Sequence, residues 1–177
     1  MRQIVLLRGI NIGPNKRVAM PRLREVLDGG GYEDVSTYVQ SGNVVLSSDA
    51  EAQELARGVE SLIETEFGFT VDVVVRTRDE LSEVVRRDPL GDVAADPRRY
   101  QVTFLSAEPD PDVVEKLAGL ATESERFVAL GRELYAWHPD GVARSRLWTK
   151  LAGQGLGVTA TSRNWNTVLQ LLEMADG

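Results

Sequence analysis

The stretch VSTYVQSGNVVLS, residues 35–47, decides the fold. Two β-rich runs, VSTYVQ (35–40) and NVVLS (43–47), flank Ser41-Gly42, and glycine supplies the positive φ that a two-residue hairpin needs. An antiparallel pair at this point excludes a plain parallel βαβ series. Working backwards, Gly29–Gly31 stop a helix that Pro21 opens and that carries Leu23, Val26 and Leu27 at helical spacing. Before it, QIVLLR (3–8) has the short apolar run of a buried strand. Working forwards, Leu55, Val59, Leu62 and Ile63 mark a second amphipathic helix, and VDVVVR (71–76) a fourth strand. The order β-α-β-β-α-β is the split βαβ pattern of a ferredoxin-like unit, the alpha-beta plait.

After a helix around 79–87 and the Pro- and Asp-rich stretch DPLGDVAADP (88–97), the pattern restarts. YQVTFLS (100–106) reads as a strand and DPDVVEKLAGL (110–120) as a helix with proline near its start. RFVAL and ELYAW form a hairpin on Gly131-Arg132, residues 142–152 suit a helix, and GVTATS (157–162) reads as a weak last strand. Trp165, Val168, Leu169 and Leu172 mark a closing helix. The expectation is an α+β chain of two tandem ferredoxin-like units with antiparallel sheets and an extra C-terminal helix. The units are expected at 1–90 and 91–177, with the boundary in 88–99.

Composition limits the chemistry. The 177 residues are 42% hydrophobic and 27% charged, which is ordinary for a globular chain. There is no cysteine, which excludes disulfides and thiolate chemistry, and His138 is the single histidine. No apolar run reaches the length of a membrane span, so a soluble cytoplasmic protein without a membrane partner is expected. The net charge of −7 opposes broad nucleic-acid binding, yet its distribution is uneven. Residues 1–24 hold Arg2, Arg8, Lys16, Arg17, Arg22 and Arg24 and no acid. Residues 141–172 hold Arg144, Arg146, Lys150 and Arg163 and again no acid, where even spreading over both windows would place about eight or nine.

Topology assigns these windows a place. In a split βαβ sheet the first two strands run parallel with the third between them. The loop leaving strand 1, RGINIGPNK, and the hairpin QSGN therefore emerge at the same end. In the second half the same rule brings His138–Arg146 and Thr161–Trp165 together. Arg8, Asn11, Asn15 and Lys16 lie in the first loop, where Gly9 and Gly13 permit close approach of a ligand to the backbone. Guanidinium and ammonium groups there suit phosphate or carboxylate. The spacing is neither the Walker nor the Rossmann pattern, so no cofactor is specified. Gln40, Ser41 and Asn43 can orient a ligand from the hairpin, and no base near Ser41 marks it as a nucleophile. Arg163 and Asn164 are expected on the exposed first turn of the closing helix, where a cation opposes the helix dipole and so points to a bound anion. His138 reads as a strand-end residue, and ESERF (123–127) and DVAADP (92–97) as solvated surface.

LLRGINIGPNK, TYVQSGNVV and TSRNWNTV, in this order, resemble the signature stretches of the bacterial family catalogued as domain of unknown function 1697. The resemblance runs over nearly the whole chain and implies a pair of ferredoxin-like units; it implies no activity. One departure is visible: Gly13-Pro14 stands where a Gly-Gly pair is expected.

Three functions fit the sequence. The leading one is a binding protein for an anionic, phosphate- or carboxylate-bearing small molecule or nucleotide at the basic strand-end loops. The second is an enzyme on such a metabolite, with Arg8, Lys16 and Arg163 as electrostatic stabilisers. The third is a regulatory module that meets an RNA end or an acidic protein. Nucleic acid is the less favoured partner, because the strands lack the aromatic signatures of sheet-face RNA binding.

Overall fold

The computed structural model describes residues 1–177 and contains two four-stranded sheets, ordered β2-β3-β1-β4 and β6-β7-β5-β8. The first unit runs β1 (Arg2–Leu7), α1 (Met20–Gly29), β2 (Glu33–Tyr38), β3 (Asn43–Ser47), α2 (Ala52–Phe67) and β4 (Val73–Thr77). Then come α3 (Arg78–Arg87), β5 (Tyr100–Leu105), α4 (Pro111–Leu120), β6 (Arg126–Leu130), β7 (Glu133–Trp137), α5 (Arg146–Ala152), β8 (Ala160–Asn164) and α6 (Trp165–Asp176). Every neighbouring pair of strands is antiparallel. These are two tandem ferredoxin-like units with a C-terminal helix, as the sequence predicts.

Strand alternation explains which residues form each core. In the first unit Val5, Leu7, Val44, Leu46, Val73 and Val75 face Leu23 and Leu27 of α1 and Leu55, Val59 and Ile63 of α2. In the second, Leu105, Leu134, Ala136 and Ala160 pack with Leu117 of α4 and Leu147 and Leu151 of α5. Full burial of each of the valine, leucine and isoleucine side chains is worth roughly 1.5–3 kcal/mol. The other sheet faces, carrying Ile4, Leu6 and Val45 in one unit and Val102, Phe104 and Tyr135 in the other, are buried too. Neither sheet offers the open platform of a sheet-face RNA binder.

The chain divides into a unit of Met1–Glu83 with Gln170–Gly177 and a unit of Val84–Leu169. This differs from a single boundary in 88–99: the division falls inside α3, and the end of α6 belongs with the first unit. No helix is long and apolar enough to cross a membrane.

Three local expectations are corrected. The first hairpin has a four-residue loop, Val39–Gly42, because the ladder closes at Tyr38↔Asn43. The last strand starts at Ala160, not Gly157, because Gly155 (φ 97°) and Gly157 (φ 82°) take the left-handed conformation that a strand does not use. The helix expected over 142–152 begins at Arg146, where the Ser145 side chain accepts from the Trp148 N–H and caps it.

Candidate functional site

β1 and β2 lie parallel on either side of β3, so the loop after β1 and the hairpin loop share one end of the sheet. Backbone bonds fasten the base of both: Leu7 N–H donates to Gly42 O at 2.9 Å, and Arg8 N–H to Asp72 O at 2.9 Å. Gly42 (φ 82°) has no room for a side chain, since a Cβ there would stand 2.7 Å from Leu7 Cβ.

Asn11 then joins the two loops. Its Nδ2 donates to Val18 O and to Gln40 O, both at 2.7 Å, and its Oδ1 accepts from Val18 N–H at 2.8 Å. Its own N–H donates to Lys16 O at 3.1 Å, closing a compact turn over 11–16. Both ends of that turn are left-handed, Asn11 at φ 55° and Lys16 at φ 54°. Asparagine is one of the few side-chain-bearing residues that adopt this conformation readily. Everything from Ile12 to Arg17 is exposed. Neither Lys16 nor Arg17 is in an ion pair, and Arg17 only donates to Gly13 O at 3.4 Å.

The expected site residues occupy distinct positions around this loop pair. Arg8 is half-buried at the end of β1, and Lys16, Gln40 and Ser41 are exposed. Asn43 is fully buried, and its Nδ2 donates to Tyr38 O at 3.2 Å and Ser41 Oγ at 3.0 Å, which shapes the hairpin from within.

Arg163 and Asn164 are not on an exposed helical turn. Both belong to β8, where Arg163 pairs with Val102 and Asn164 with Gln101, because the ladder continues to the edge of α6. Arg163 is only 9% exposed, and burial pulls its guanidinium down to about 10. It donates to Thr161 Oγ1 at 2.7 Å and Ser162 O at 2.9 Å. Asn164 caps α6, with Oδ1 accepting from Thr167 N–H at 3.0 Å. Trp165 is buried and stacked on Tyr100, ring centroids 4.6 Å apart, so it is core.

The second unit holds a polar cluster that sequence patterning does not reveal. Glu125, read as surface within ESERF, is buried together with His138 and Ser145. His138 Nδ1 lies 2.5 Å and Ser145 Oγ 2.6 Å from the same Glu125 Oε2, and Thr122 N–H donates to Oε1 at 3.1 Å. Burial raises the Glu125 carboxyl, but the bonds from Ser145 and His138 outweigh it and hold the group below its ordinary range. Glu125 and Ser145 line a cavity of about 450 Å³ with Thr122, Asp140, Gly141, Ala143 and Arg144. Ser145 Oγ also stands 3.4 Å from His138 Nδ1, but that nitrogen and the hydroxyl both bond more closely to the same Glu125 oxygen. The imidazole is therefore not arranged between serine and carboxylate as a base in the manner of a triad. A buried glutamate amid exposed acids has no signature in the local pattern, because its partners lie 13 and 20 residues downstream.

Comparison with known proteins agrees with this architecture. No curated protein matches the chain. A solved structure of a conserved bacterial protein from Streptococcus pneumoniae superposes with a TM-score of 0.79 at 22% identity, covering 98% of each chain. That likeness shows the fold. The sequence profile of a family of proteins of unknown function, DUF1697, matches residues 1–135, and the chain belongs to that family.

Proposed function

We propose that the protein binds an anionic small molecule, a phosphate- or carboxylate-bearing metabolite or a nucleotide, at the loop pair after β1 and β2. One observation carries this reading. The Asn11 side chain fixes both loops with three hydrogen bonds, while Lys16 and Arg17 stand exposed beside it without a carboxylate partner. Order without local charge compensation is what a preformed anion site needs, because the protein bears the ordering entropy before the ligand arrives. Arg8 adds a third cation at the end of the strand. A cytoplasmic setting belongs to the same proposal, supported by the absence of cysteine and of any helix able to cross a membrane.

Calorimetric titration of wild type and the Lys16→Ala/Arg17→Ala variant against a panel of nucleotides and sugar phosphates tests it. A charged hydrogen bond is worth roughly 1.5–3 kcal/mol, or about ten- to a hundred-fold in affinity, so the double variant, which removes two cations, should weaken binding by at least that much. The melting temperature should hold, since both side chains are exposed. Equal affinities for the two proteins would refute the site.

A further inference from the structure

The same loops carry two features that binding a bare anion does not require. Ile12, in the turn closed by Asn11 and Lys16, is 84% exposed, and Val39, in the hairpin loop, is 53% exposed. Each is the chain neighbour of a residue in the bond that ties the loops, Asn11 Nδ2 to Gln40 O at 2.7 Å. Val39 is also strained, at φ 51°. A β-branched residue is a genuine outlier there, and glycine or asparagine would hold the same turn without strain. Val39 is therefore unfavourable in two independent ways, conformation and exposure, at the spot where the cationic loop is fastened. Strain held at a binding loop is a recognised sign of function.

We infer that the ligand of this loop pair is an amphiphilic anion, with a phosphate or carboxylate head for Lys16 and Arg17 and an apolar body that covers Ile12 and Val39. The inference rests on the anion-binding reading above and narrows it. Sugar phosphates lack such a body; a nucleoside phosphate has one in its base, and an alkyl or acyl phosphate in its chain.

The test is titration of the full chain with four probes: inorganic phosphate, ribose 5-phosphate, adenosine 5′-monophosphate and octyl phosphate. Adenosine monophosphate or octyl phosphate should bind about tenfold more tightly than ribose 5-phosphate, in line with the burial of part of two aliphatic side chains. The arm that gains identifies base or chain as the body. Ile12→Ser and Val39→Asn should each erode that preference while leaving ribose 5-phosphate affinity unchanged. Val39→Asn should meanwhile raise the melting temperature, because it relieves the strain. Ribose 5-phosphate binding as tightly as both amphiphiles, or a preference that survives both substitutions, overturns the inference and leaves the anion site standing. Failure of all four probes to bind overturns both.

Discussion

Asn11 does more for the candidate site than any of the cations. Its amide closes three bonds, two of them to the carbonyls of Val18 and Gln40 in different chain segments. Asn11→Ala removes all three and leaves an alanine at φ 55°, so it should cost about 1–3 kcal/mol and weaken any ligand of the loops. Thermal melts together with the titration above check both parts. Glu125 gives the second residue-scale expectation. Its carboxyl is held below its ordinary range, so the folded state binds fewer protons than the unfolded chain near and below the unfolded value of about 4.3. The stability it contributes is complete above that value and is lost as pH falls through the lower folded one. Glu125→Gln should melt lower than wild type at pH 7, and the difference should shrink as the pH is taken down to about 3. A difference independent of pH would show that the carboxylate charge is not what the cluster uses.

At the scale of elements, the hairpin at 39–42 shows where sequence reading succeeds and where it stops. The strands on either side and their antiparallel pairing follow from the β-rich runs and glycine placement, and the shared end with the first loop follows from the split βαβ topology. The extra two loop residues do not, because Val39 and Gln40 have the composition of a strand. They leave it because Asn11 captures the Gln40 carbonyl and Asn43 the Tyr38 carbonyl. The strain at Val39 is likewise silent in the sequence, since valine is a strand former. Arg163 is the converse case: the run TSRN lacks apolar alternation, yet the β5 ladder extends across it and buries the arginine. Gly42 makes the element testable. With φ 82° and a prospective Cβ 2.7 Å from Leu7 Cβ, Gly42→Ala must distort either the loop or β1. The expected cost is about 1–3 kcal/mol, read as a lower urea midpoint with an unchanged slope. An unchanged midpoint would mean that the loop is not held as described.

Across the whole molecule the duplication is clearer in register than in sequence. Gln3 and Gln101 occupy equivalent positions in β1 and β5, and the buried Arg76 and Arg163 pair with the next residues, Ile4 and Val102. Loops of different length between these strands hide the correspondence from any fixed repeat. Local patterning is also blind to the membership of Gln170–Gly177 in the first unit, because a helix keeps its period whichever unit its end meets. Leu171 and Ala175 in this segment are buried, and the Asp176 carboxylate accepts from Arg78 Nε at 2.5 Å. The ion pair is exposed and contributes little. Burial of the leucine is worth roughly 1.5–3 kcal/mol, and alanine adds less. A chain ending at Leu169 should therefore unfold at a lower denaturant midpoint, by an amount equivalent to about 2–4 kcal/mol. The loss should appear in the first unit: amides of β1 and β4 should exchange faster in the shortened chain, while those of β6 and β7 change less. Asp176→Asn in the full-length chain separates the causes, since it removes the charge and keeps the apolar contacts, and it should leave the midpoint nearly unmoved. Faster exchange confined to β6 and β7 would assign the segment to the second unit instead.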